Sequence, residues 1–268
     1  MRTSIISLLL LTFALIAGCS DNDSNPIDPH GHSGDTTATI ALRFVPKFGE
    51  QRLLLDKKYL NAGGDSVQFT AIRFYLSEVA LIDSLGASIP ATGIMLIDLG
   101  DPAVAEHGYA EVKLRGAPGT YRGLSFSIGV PTADNHKDAA TQSLPLGPNS
   151  GMYWGWNPGY IFHMIEGKAD SASGSVNFGY HIGEDNHKVT VMLATLTGPA
   201  ATTFTVNATG ENIFTVDADY SKLFAVGLDG VTPMKLSTNA AERVHHMSPK
   251  NLVDRTTANT RTMFSRGN

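Results

Sequence analysis

Imidazole, thioether and indole groups offer this sequence its most distinctive chemistry. Of nine histidines, those beyond the N-terminal region are His107, His136, His163, His181, His187, His245 and His246. His136 stands in Val130-Pro-Thr-Ala-Asp-Asn-His-Lys, a loop just past an apolar run, and His181 closes the alternating stretch Val176-Asn-Phe-Gly-Tyr-His. Period-two alternation sets His181 on the face opposite Phe178 and Tyr180, and sets His163 on the Ile161/Ile165 face of its own strand. Neutral imidazole is a good copper donor, and two such donors can hold Cu(I), an ion content with low coordination. Spacing does not by itself pair His136 with His181, and a lone strand histidine is also an ordinary hydrogen-bonded structural residue. Val244-His-His-Met247 adds soft and borderline donors near the C-terminus, whereas His107 and His187 read as loop residues.

The aromatic run Met152-Tyr-Trp-Gly-Trp-Asn-Pro-Gly-Tyr-Ile-Phe-His holds both tryptophans, Trp154 and Trp156, with Tyr153, Tyr160 and Phe162. Two readings stay open: a core plug closing one end of a sandwich, or a ligand platform or redox-active aromatic site. GxSxG, P-loop, HExxH and GxGxxG strings are absent, so nothing argues for catalysis, and a non-enzyme is expected.

The elements that must position these groups read as strands. Ile40, Leu42 and Phe44 alternate, as do Ile72, Phe74 and Leu76, after which the apolar phase shifts to Val79 and Leu81. That one-residue slip at Ser77-Glu78 predicts a β-bulge. Further runs follow at Ile94–Leu99, Tyr121–Val130, Tyr160–Ile165, Val176–Ile182, Val189–Leu196, Phe204–Val206 and Ile213–Val216, parted by Gly/Pro/Asn turns. The prediction is all-β: a single antiparallel β-sandwich domain within 36–268, its strands over about 36–227. A polar C-terminal tail from Leu228 packs on it, with Asn239 capping a short helix through Met247.

Composition narrows the function further. The chain has 268 residues, 42% hydrophobic and 17% charged, enough to bury a core and too apolar to be disordered throughout. A net charge of −5 without a basic run argues against nucleic-acid binding. Arg2, the apolar stretch Ile5–Ala17 and Ile16-Ala-Gly-Cys19 resemble a bacterial lipoprotein signal, so residues 1–18 are expected to be removed and Cys19, the sole cysteine, lipidated. Residues 19–35 read as a flexible tether in which Asp21–Asn25 and His30/His32 are weak metal signals. Ser20, where inner-membrane lipoproteins tend to carry Asp, points to the outer membrane, facing periplasm or cell surface.

Several segments together resemble the MbnP-like copper-binding proteins, a bacterial periplasmic and outer-membrane family. They are Arg73–Asp83, Gly119–Pro131, Met152–Tyr160, Phe162, Glu166-Gly167, Tyr180-His-Ile-Gly183 and Ala258–Phe264. The resemblance implies a low-coordinate copper, Cu(I) preferred, held by His136 and His181 for acquisition, storage or delivery. It also implies a di-haem MauG-like partner enzyme that oxidises a tryptophan to kynurenine, and a TonB-type receptor. In at least one member the modified tryptophan sits two residues before the loop histidine; here that position is Asp134. Trp154 or Trp156 as the oxidation target, a different mode of metal binding, or none, are the outcomes this departure leaves. A metal-free binding module using Trp154 and Trp156 for a glycan or peptide is the alternative, and a plain structural lipoprotein the third.

Overall fold

The computed structural model describes residues 37–91, 93–154, 159–194 and 203–267. The signal segment, Cys19, the tether, Trp156 and the end of the run through Leu196 lie outside the described residues. In chain order the strands begin with β1 (Ala38–Phe48), β2 (Gln51–Arg52), β3 (Lys58–Leu60), β4 (Ser66–Ile82), β5 (Ser88–Pro90) and β6 (Met95–Asp98). Then follow β7 (Ala110–Gly116), β8 (Gly119–Tyr121), β9 (Gly123–Ile128), β10 (Ile161–Ser171) and β11 (Gly174–Gly183). The remainder are β12 (Val189–Ala194), β13 (Phe204–Val206), β14 (Asn212–Asp219), β15 (Val244–His246) and β16 (Phe264–Arg266). Three short helices, α1 (Pro102–His107), α2 (Thr132–Asn135) and α3 (Lys250–Thr260), join them.

Two sheets make the predicted sandwich. A nine-stranded sheet runs β12-β9-β4-β10-β11-β15, with β3, β5 and β6 also paired to β4; a five-stranded sheet runs β16-β14-β1-β2, with β7 on β1. Their inner faces meet through the alternating residues read from the sequence: Leu42 and Phe44 of β1 and Phe214 and Val216 of β14 against Phe74, Phe126, Ile165 and Phe178. Phe44 packs edge-on to Phe74 and to Phe126 with centroids 5.5 Å apart in each pair. Each such ring removed from water contributes roughly 1.5–3 kcal/mol, and the edge-to-face geometry adds to that.

The phase slip in β4 is a bulge. Register with β9 breaks between Ser77 and Ala80, and Glu78 takes a positive φ of 49°. The turned side chain accepts hydrogen bonds from Ser127 Oγ at 2.7 Å and Lys188 Nζ at 2.8 Å, which offset the backbone strain.

Two pairings are parallel, β1 with β14 and β11 with β15. Parallel neighbours need a long connection, which local alternation does not reveal. The segment after Leu228 is more than a polar tail lying on the sandwich: β15 joins the nine-stranded sheet, β16 joins the five-stranded one, and Met234, Leu236, Leu252 and Met263 are buried in the main core. Asn239 does cap, accepting from the Ala241 amide, but the turn it starts is a single 3-10 turn, Ala240–Glu242, and β15 follows where a helix was predicted.

Candidate functional site

The described residues between β9 and β10 fold over the outer face of the nine-stranded sheet, away from the main core. Val130, Ala139, Leu146, Met152, Trp154 and Tyr160 there bury a second, smaller apolar cluster with Tyr75 of β4 and Ile161, Phe162 and Met164 of β10. Trp154 is 9% exposed, and its ring occupies the space where a Cβ on Gly183 would sit, 2.6 Å away. It therefore stands in the core-plug position. A break in the β10–β11 register between Ile161 and His163 turns Ile161 and Phe162 into this outer cluster and sends His163 into the main core. There His163 packs against Phe74 and its Nε2 lies 3.3 Å from the Tyr220 hydroxyl; burial pushes its pKa down to about 3.

The loop after Pro131 folds back toward the end of β11. His136 caps α2, and its exposed ring sets Nε2 3.0 Å from Asp185 Oδ2, two residues beyond the strand. Asn135 donates to Asp185 Oδ1 at 2.9 Å and accepts the Tyr160 amide at 3.1 Å, tying loop, aromatic cluster and strand end together. Partial burial works to raise the Asp185 carboxyl, but hydrogen bonds from His136, Asn135 and Thr132 outweigh it and hold its pKa below the ordinary value.

His181 lies within β11, and Phe178 and Tyr180 face the main core as alternation predicted. Nε2 of His181 is 2.8 Å from Glu166 Oε1, and its Nδ1 is buried without a hydrogen-bond partner. Its ring centroid lies 4.2 Å from that of His246, its register partner on β15. Burial lowers the His181 pKa, the Glu166 hydrogen bond opposes that, and the neighbouring His246 lowers it further. The imidazole is thus neutral at neutral pH, the form that can donate to a metal. The structure brings His181 to Glu166 and His246, and brings His136 to Asp185.

Met164, Glu166 and His246 were not singled out as partners of His181 from sequence. The β10–β11 hairpin carried the signal for the first two: Ser171 pairs with Gly174, so seven residues back, Met164, faces seven residues on, His181. Of the two residues read as loop histidines, His107 closes α1, and His187, in the Asp185–His187 turn, is buried with Nε2 2.9 Å from Asp254 and Nδ1 2.9 Å from the Gly183 carbonyl oxygen.

Fold and site together define a two-sheet β-sandwich with imidazoles and thioethers gathered on the outer face of its larger sheet. The MbnP family model matches residues 37–247, and the chain belongs to that family. Among solved structures, MbnP from Methylosinus trichosporium is similar at 19% identity, covering 70% of this chain and 78% of that one with a TM-score of 0.48. Comparison with curated proteins found no match.

Proposed function

We propose that this protein is a membrane-anchored copper-binding protein, holding one low-coordinate ion for acquisition, storage or delivery, and not an enzyme. The observation that carries the reading is His181. Metal-ligating histidines generally give one ring nitrogen to a carboxylate or carbonyl and the other to the metal. Here Nε2 is held by Glu166 and Nδ1 is buried and unpartnered, a group that costs about 1–3 kcal/mol if nothing satisfies it. Among the described residues, no group of three or more His, Cys, Asp or Glu converges at metal-binding spacing. Imidazole with nearby thioether suits Cu(I) better than an ion that needs four nitrogen or carboxylate ligands. Resemblance supplies His136 as the second imidazole, and its loop does reach the end of β11. The glycan-platform alternative gains nothing from Trp154, whose ring is nine-tenths buried.

The test is a titration of Cu(I) into the full-length protein against a competing chelator. One equivalent should bind at pH 7, and binding should weaken as acid protonates His181, whose pKa burial holds below that of free imidazole. Absence of binding at pH 7 would reject the reading.

We further propose an outer-membrane anchor at Cys19. Fractionation of cells expressing the full chain should find wild type with the membranes and Cys19→Ala in the soluble periplasmic fraction. Recovery of both in the membrane fraction would remove this part of the proposal.

A further inference from the structure

Parallel pairing of β15 with β11 separates the two adjacent histidines of the C-terminal segment. His245 turns inward opposite Tyr180, stacked at 5.3 Å and hydrogen-bonded to Thr256 Oγ1 at 2.8 Å. His246 turns outward opposite His181. The outer row continues across the sheet, since Met164 of β10 is the other register neighbour of His181. We propose that His181 and His246 are the two imidazole ligands of a single Cu(I) ion, with the Met164 thioether beside them as a third, softer donor. This rests on the copper-binding reading above and assigns the second imidazole to a residue that the family resemblance did not name.

Three observations favour His246. Its ring is already in contact with that of His181, whereas the His136 ring is engaged by Asp185. His246 is exposed, and the His181 ring beside it carries an unpartnered Nδ1. Finally, His246 lines an open cleft of about 340 Å³ with Glu166, Thr70 and Gly179, and a Cβ on Gly179 would meet nothing within 4 Å. The cleft opens the His246 ring and the Glu166 carboxylate to an ion from solvent.

Cu(I) titrations of wild type, His246→Ala and Met164→Leu against a competing chelator at pH 7 test the assignment. Loss of one of two ligands exceeds loss of an outer partner, so His246→Ala should weaken binding by at least about 100-fold and Met164→Leu by about tenfold. Because His246 is exposed, its variant should melt at the wild-type temperature. In wild type, Cu(I) should also perturb the ring NMR signals of His181 and His246 together. Wild-type affinity in His246→Ala, or an unperturbed His246 ring at one equivalent, would overturn this assignment while leaving copper binding itself intact. Failure of wild type to bind would instead reject the parent reading.

Discussion

Acidification from pH 7 to pH 4 should strip the fold of about 1.4 kcal/mol per pH unit for each of two buried histidines, beginning near pH 6.5. His163 and His245 are both held neutral by burial, which pushes each pKa down to about 3; around His245 the neighbouring His181, His246 and His187 act in the same direction. Between about pH 6.5 and 3 the unfolded chain binds protons at both rings and the folded chain does not. Stability supplied by these neutral rings is therefore complete above the unfolded pKa and is lost as pH falls. Two such groups together reach a sum comparable with the whole stability of an ordinary domain, about 5–15 kcal/mol. His163 sits inside the core against Tyr220, and His245 lies where the C-terminal segment joins it, against Tyr180 and Thr256 of α3. Urea unfolding between pH 6.5 and 4 should show His163→Gln losing stability with markedly shallower pH dependence than wild type. Equal slopes would mean that His163 is not held neutral.

How much of this was legible beforehand depended on range along the chain. The β4 bulge at Glu78 was legible because a phase slip is a local signal, visible in the step from Leu76 to Val79. The face of His181 was legible for the same reason. His163 sharing the core with Ile165 could be read, but its separation from Ile161 could not, because the register break that divides them is set by packing of Phe162 and its neighbours on the outer face. His246 beside His181 was out of reach: their meeting depends on a parallel pairing closed through a connection of some sixty residues, part of it irregular. Apolar residues such as Met234, Leu252 and Met263 are scattered among polar neighbours, so the C-terminal segment reads as a polar tail although it supplies an edge strand to both sheets. The family resemblance carried the fold well, and MbnP membership over residues 37–247 bears it out. What it did not carry was the neighbour of each histidine, because that is a property of register and not of motif.

Gly183→Ala should be among the most disruptive single methyl additions to the outer face, and Gly179→Ala, four residues earlier on the same face, should be nearly silent. At Gly183 an added Cβ would stand 2.6 Å from Trp154 Cζ3 and 2.7 Å from the backbone oxygen of Tyr160. The first contact could be relieved by moving the indole, the second only by moving the chain. Overpacking of this kind costs about 3 kcal/mol at the upper end of its usual range. At about 2–4 °C per kcal/mol for a chain of this size, the melting temperature should fall by roughly 6–12 °C. At Gly179 the corresponding methyl meets open cleft, and its change should stay within about 0.5 kcal/mol. Because His181 lies midway between the two glycines, the pair also separates the two walls of the candidate site. Gly183→Ala displaces Trp154 from a cluster that includes Met164, so on the proposed copper assignment it should weaken binding as well as the fold. On the proposed copper assignment Gly179→Ala should leave both the fold and the affinity near wild type, since its methyl meets nothing within 4 Å. Thermal melting and chelator competition on both variants measure these two outcomes. Equal melting temperatures for Gly183→Ala and wild type would show that Trp154 does not fill the space above β11, and with it would go the account of one side of His181 as walled and the other as open.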